Sequence, residues 1–268
     1  MIVSPPSGKE RFKAHLRKVG SGEHTSKGMT RAEAADALDL ILREEATPAQ
    51  IGAFLIAHRI RRPEPQELAG MLDTYRQLGP VLTSKDAAEK PICFGMPFDG
   101  RTRTAPIYPL TTLVLLACGI PVVLQGGARM PIKYGITAQE LFQALGLDLA
   151  GLTLAEVQQG FDQHGFALIH QPDHFTIAES LITYREELGK RPPVASLELL
   201  WTPHQGDHLL VSGFVHPPTE SRAWDALKQA GESDLVTVKG LEGGTCLLYT
   251  SDAADEGLGV DLGGRRII

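Results

Sequence analysis

Two glycine loops, each following a short apolar run and separated by a longer one, constrain this chain more than any other feature. The first run, Pro91 to Phe94, breaks at Gly95 and enters a loop carrying Asp99, Gly100, Arg101 and Arg103. Pro109 to Cys118 has the length of a helix, a proline in its first turn and a stop at Gly119, which predicts a buried helix. Ile120 to Leu124 is β-branched and short, like a buried parallel strand, and gives way to Gln125-Gly126-Gly127 with Arg129 close behind. In open α/β sheets the ligand lies outside the carboxyl ends of the strands, so loops after two neighbouring strands face one site. The first loop suits an anion. The same glycines also serve as plain tight βα turns.

Upstream, the sequence is helical. Lys9 to Val19 places Phe12, Leu16 and Val19 on one side and its basic residues elsewhere, either as a solvated helix packing its apolar stripe or as a nucleic-acid contact. Thr30 with Glu33 three residues on forms a capping box, and Ala34, Ala37, Leu38 and Ile41 give that helix its buried stripe. Thr47-Pro48 opens a third helix, stopped by Pro63, and Glu64 to Leu78 gives a fourth before Gly79-Pro80. Downstream, Thr153 to His164 reads as helix, Phe166 to His170 as strand and Pro172 to Leu188 as a largely continuous helix. Strands at His208 to Phe214 and Leu235 to Lys239 flank a helix from Glu220 to Gln229. Strands alternating with helices predict an α/β domain with a mostly parallel sheet.

The 268 residues suffice for a sizeable core with a small domain beside it. The opening residues lack the apolar stretch of a secretory signal. The longest apolar region, Ile107 to Leu124, is interrupted by Pro109, Gly119 and Pro121, which argues against a membrane span. Cys93, Cys118 and Cys246 lack metal-ligand spacing, the first two sit in apolar runs as small hydrophobes, and a cytoplasmic protein is expected. His170 and His174 share a helical spacing without a third ligand, so no metal is assigned and hydrogen-bonded histidines are expected. The formal net charge is -6, yet residues 1–62 hold 11 Lys and Arg against 7 Asp and Glu. A basic amino-terminal module on an acidic body follows.

The order of glycine loop, buried helix, strand, second glycine loop and a helix ending in Ala144-Leu145-Gly146 resembles anthranilate phosphoribosyltransferase and its relatives. Thr47-Pro48-Ala49-Gln50-Ile51-Gly52-Ala53-Phe54-Leu55 resembles the family's amino-terminal helical domain, which implies a homodimer through these helices. Gly95-Met96-Pro97-Phe98-Asp99-Gly100 matches the frame of the family's Gly-Thr-Gly-Gly-Asp-Gly loop, which wraps the diphosphate of phosphoribosyl diphosphate. Ala105-Pro106-Ile107-Tyr108 stands at the family's Asn-Ile-Ser-Thr, with Pro106 lacking a backbone donor. Leu124-Gln125-Gly126-Gly127 replaces Lys-His-Gly-Asn and loses its cation.

Arg185, in Arg185-Glu186-Glu187-Leu188-Gly189, matches the arginine that helps the family bind an aromatic acid; the alternative is a helix-surface arginine. Val238-Lys239-Gly240-Leu241-Glu242-Gly243 resembles Val-His-Gly-Leu-Asp-Gly, after which the family's magnesium-binding Asp-Glu pair falls on Thr245 and Cys246, neither a carboxylate. With Gly213-Phe214-Val215-His216-Pro217, these features resemble a divergent branch described as glycosyl transferases, some of whose members are nucleic-acid-binding dimers with a basic groove.

The expected organisation is therefore a helical domain over 1–80, an incomplete phosphoribosyltransferase-like α/β domain over 81–245, and a non-native tail over 246–268, whose alternative is a divergent terminus. Were the tail spurious, a strand is left as an exposed edge. Two functions are expected to compete. One is a protein with degenerate phosphoribosyl-diphosphate motifs that binds phosphate-rich ligands, single-stranded nucleic acid foremost. The other is a magnesium-dependent transferase acting on a nitrogen acceptor. The candidate substrate-binding residues are Gly95, Asp99, Gly100, Arg101, Arg103, Gln125, Gly126, Gly127, Arg129 and Arg185; no catalytic residue is assigned.

Overall fold

A computed structural model of the chain describes residues 6–22, 24–86, 89–103, 105–240, 242, 244–245 and the backbone of two short strands at 260–261 and 266–267. Four helices come first: α1 (Gly8–Gly20), α2 (Arg31–Leu42), α3 (Pro48–Arg61) and α4 (Pro65–Leu78). Capping explains where two of them start. The Thr30 and Thr47 hydroxyls accept from the amides of Glu33 and Gln50 at 3.2 and 3.3 Å, and those two side chains accept from the threonine amides in return. Three residues of α1 reach α2: Lys18 lies 2.6 Å from Glu33, and Arg11 and His15 both reach Asp36.

The rest winds around a parallel sheet. In chain order come β1 (Leu82–Thr83), β2 (Ile92–Gly95), α5 (Tyr108–Ala117), β3 (Val122–Gly126), α6 (Ala138–Ala144), α7 (Leu154–His164) and β4 (Phe166–His170). They are followed by α8 (Gln171–His174), α9 (Thr176–Glu179), α10 (Ile182–Leu188), a 3-10 turn (Pro193–Ser196), α11 (Leu197–Leu200), β5 (His204–Gln205), β6 (Leu209–Phe214), α12 (Pro217–Gln229), β7 (Leu235–Lys239), β8 (Val260–Asp261) and β9 (Arg266–Ile267). The main sheet runs β4-β3-β2-β6-β7-β9-β8, parallel throughout except that β8 opposes β9, and β1 pairs with β5 apart from it.

Side chains alternate across the sheet as the pleat requires. Cys93, Val123, Ala167 and Leu210 join one core with the helical domain, whereas Phe94, Val122, Leu124 and Leu168 join a second with Phe142. The chain winds outward from β2 through β3 to β4, then returns beside β2 with β6 and continues to β7. The switch point therefore lies between the ends of β2 and β6, where open α/β sheets place their ligands.

Several expectations change. The helix expected over Pro172 to Leu188 divides into α8, α9 and α10, because Phe175 adopts φ -140 and packs 5.1 Å from Tyr75 and 5.6 Å from Trp201. The apolar run expected to be buried forms α5, yet Leu110, Leu113 and Val114 are exposed, and Cys118 is exposed as well. Thr237 and Val238 of β7 pair with Arg266 and Ile267 of β9. Leu241, Gly243, Cys246 and, apart from the backbone of 260–261 and 266–267, the rest of the 246–268 tail lie outside the described residues. His170 and His174 make local hydrogen bonds, to Asp173 at 2.7 Å and to the Leu152 carbonyl at 2.8 Å. No described helix is long and apolar enough to cross a membrane.

Candidate functional site

The loop leaving β2 is closed from inside the protein. A side chain at Gly95 would lie 1.9 Å from the Leu199 carbonyl oxygen, so glycine is what lets α11 cross there. The Phe98 amide donates to Glu198 Oε2 at 2.7 Å, tying the loop to that helix. Asp99 follows with no solvent exposure and three cations around it. Arg191 Nη2 and Arg185 Nη2 lie 2.7 and 3.2 Å from Oδ2, and Lys133 Nζ lies 3.6 Å from Oδ1. Arg185 also donates to Glu198 Oε1 at 2.6 Å. Burial pushes the Glu198 carboxyl up although Arg185 opposes it, and burial pulls the Lys133 ammonium down although Asp99 opposes that. Gly100 takes φ +71, and Arg101 is buried beyond it in a single β-bridge to Ile136.

The loop leaving β3 closes the other side. The Gln125 side-chain amide is buried and donates to the Glu198 carbonyl at 3.1 Å and to that of Trp201. Arg129 is exposed and ion-pairs with Glu140 at 2.6 Å, beside the start of α6. Gly100, Arg101, Gln125 and Gly126 do converge on one cavity, but its volume is about 20 Å³, room for a water molecule or two. Asp99 and Arg185 are buried away from that lining, and Arg103 contributes its amide, 3.2 Å from Glu242. Asp99, Glu198 and Glu242 are carboxylates at the first loop, and each has a cation within 4 Å. Magnesium keeps several waters and needs carboxylate oxygens to spare, so these residues do not fit it.

Beside this closed space runs a groove of about 910 Å³ between the helical domain and the carboxyl end of β6. Arg59, Arg62, Arg191 and Arg222 line it, Arg59 donating to the Arg191 carbonyl, with His216 at the start of α12; Glu220 is the one carboxylate in its lining. Glu220 is itself buried, accepting from the Thr237 hydroxyl at 2.6 Å.

Residues 13–79 match the family described as the glycosyl transferase family, helical bundle domain. Anthranilate phosphoribosyltransferase from Methylocella silvestris is 31% identical over 219 residues, and that from Moorella thermoacetica 30% over 232; these alignments cover 82% and 87% of this chain. Among solved structures, anthranilate phosphoribosyltransferase from Thermus thermophilus superposes with a TM-score of 0.72 at 23% identity, covering 87% of this chain and 67% of that one. The Saccharomyces cerevisiae enzyme in complex with PRPP and Mg gives the same score at 14% identity, also over 87% and 67%. The chain belongs to the anthranilate phosphoribosyltransferase-like family.

It spans 61% and 66% of the lengths of those two curated relatives. As an anthranilate phosphoribosyltransferase-like protein it has the family's helical domain and mostly parallel sheet. At the helix that follows the first loop, no side chain caps α5 at Ile107. Arg59, Arg62, Lys133, Arg191, Glu198 and Arg222 are site residues that sequence reasoning missed. Only Arg59 and Arg62 carried a signal, inside the basic run His58-Arg59-Ile60-Arg61-Arg62. The pairing of Glu198 with Arg185 spans two short elements and leaves no periodic trace.

Proposed function

We propose that the chain binds single-stranded nucleic acid in the arginine-lined groove, and that its phosphoribosyl-diphosphate loops are degenerate and serve as scaffold. The contrast in open volume carries this reading: about 910 Å³ with four arginines in the groove, against about 20 Å³ between the loops. Arginines facing a wide groove release condensed counterions when they meet phosphates, and His216 on the rim offers a flat face for stacking. The protein acts as a homodimer through its amino-terminal helices, in the cytoplasm. Fluorescence anisotropy of a labelled oligonucleotide over a salt series tests it: binding that weakens linearly in log–log form as salt rises is expected. No binding at low salt, or no slope, overturns it.

A second reading is favoured by the names of the curated relatives. Here Asp99, Arg101, Arg103 and Arg129 orient a diphosphate while a ribosyl phosphate moves to a nitrogen acceptor, with magnesium as cofactor. Magnesium-dependent consumption of phosphoribosyl diphosphate in the presence of anthranilate supports it. Unchanged turnover in Asp99→Ala removes those roles.

A further inference from the structure

Glu220, the carboxylate in the groove lining, is held from beneath by a chain of hydrogen bonds with one direction. The Trp224 indole N–H donates to the Thr237 hydroxyl oxygen at 3.2 Å, and the Thr237 hydroxyl donates to Glu220 Oε1 at 2.6 Å. An indole nitrogen only donates, so the hydroxyl proton is left to point at the carboxylate. Thr237, on β7, is 1% exposed and Glu220, on α12, is 8% exposed, so packing fixes the place of the acceptor. Among the described residues Glu220 has no other hydrogen-bond partner and no cation within 4 Å, which leaves Oε2 unanswered by the protein. A groove for phosphate alone gains nothing from a carboxylate, which repels it. A nearly buried carboxylate with an oxygen unanswered takes donors from whatever fills the groove.

We infer that Glu220 reads guanine: its carboxylate accepts from the N1–H and the N2 amino group on the Watson–Crick edge of the base, while the groove's arginines meet the neighbouring phosphates. This deepens the nucleic-acid reading of the groove and rests on it. A carboxylate offers acceptors only. Guanine is the one common base with two adjacent donors on that edge. Adenine and cytosine set a ring-nitrogen acceptor beside their amino group, and thymine and uracil set their N–H between two carbonyls, so each of them turns a lone pair toward an oxygen of Glu220. Unpaired bases of a single strand present this edge, which a duplex uses up in pairing.

Fluorescence anisotropy of the full chain with three labelled single strands of equal length tests the assignment. One carries isolated guanines in a thymine host, the second has adenine at those positions, and the third has inosine, which keeps the N1–H and lacks the amino group. At one salt concentration the guanine strand binds about tenfold more tightly than the adenine strand, as expected of a bidentate base contact, and the inosine strand falls between them. In Glu220→Gln, which keeps the side-chain volume, the preference for guanine over adenine disappears. In Thr237→Val, which removes the hydroxyl that orients the carboxylate, the preference narrows. Equal affinity of the native protein for all three strands overturns the guanine contact, leaves the groove reading in place and needs no variant to fold. A preference that survives Glu220→Gln unchanged overturns the role of Glu220. No binding of any strand at low salt removes the groove reading, and this inference with it.

Discussion

The space between the two glycine loops and the groove beside it are both furnished with cationic residues and differ in what answers them. Between the loops, Arg185 meets Asp99 and Glu198, Lys133 meets Asp99 and Glu242, and the remaining cavity is about 20 Å³. In the groove, across about 910 Å³, Arg59, Arg62 and Arg222 line the walls beside the Asp99-paired Arg191, and Glu220, the one carboxylate of the lining, accepts from Thr237. The end of α3 repeats the contrast over four residues: Arg61 is tied to Glu64 and Glu67, while Arg59 and Arg62 line the groove. A cation closed on a buried carboxylate holds the fold together. One left facing open solvent is available to a ligand.

The closed half of that comparison breaks first at Arg185. Replacing it with methionine leaves Glu198 without its guanidinium in a water-excluded site. A loss of about 3–5 kcal/mol in urea unfolding is expected, as for other buried pairs stripped of one partner. A loss below about 1 kcal/mol would show that these pairs do not hold the loops. Next comes Glu67, a carboxylate with no side-chain exposure. Burial would raise it, but His58, Arg61 and the Glu64 amide bring it down to about 2 from an ordinary 4.5. Its folded-state value lies below its unfolded one, so its contribution is complete above pH 4.5 and is lost as pH falls toward 2. The size is roughly 3 kcal/mol. Denaturant melts across that window check it, with Glu67→Gln reducing the pH dependence by about that amount.

The open half is sharpened by Arg59→Ala combined with Arg62→Ala. Oligonucleotide affinity at low salt should fall by about tenfold and the salt slope by about one to two, while stability moves by no more than about 0.5 kcal/mol. An unchanged salt slope would take the groove out of the comparison. The smallest effect belongs to Arg129→Ala, whose pair with Glu140 is 58% and 34% exposed. Solvent screening limits that pair to at most about 1 kcal/mol in thermal unfolding, and oligonucleotide affinity should not change.

Much of the framework was legible because its signals are local. The capping box at Thr30, prolines in first turns and short β-branched runs each act within one turn or one strand, and the elements begin where those residues stand. The strands Phe166–His170 and Leu235–Lys239 fall where alternation and flanking breakers put them. Local signals fail where packing overrides them. Phe175 leaves helical geometry to join Tyr75 and Trp201, and an apolar α5 keeps Leu110 and Val114 exposed because composition does not state what covers a helix.

The sequence by itself determined most of the elements, the parallel α/β order and the two glycine turns at strand ends, since each depends on neighbours a few residues away. The tertiary structure decided which charges are spent on one another. Asp99 meets Arg185 and Arg191, and Glu242 meets Thr102 and Arg103, only after the sheet brings the ends of β2 and β7 and the α10–α11 segment together. Electrostatic neutralisation acts over a few ångströms of space irrespective of separation along the chain, so no spacing in the sequence records it.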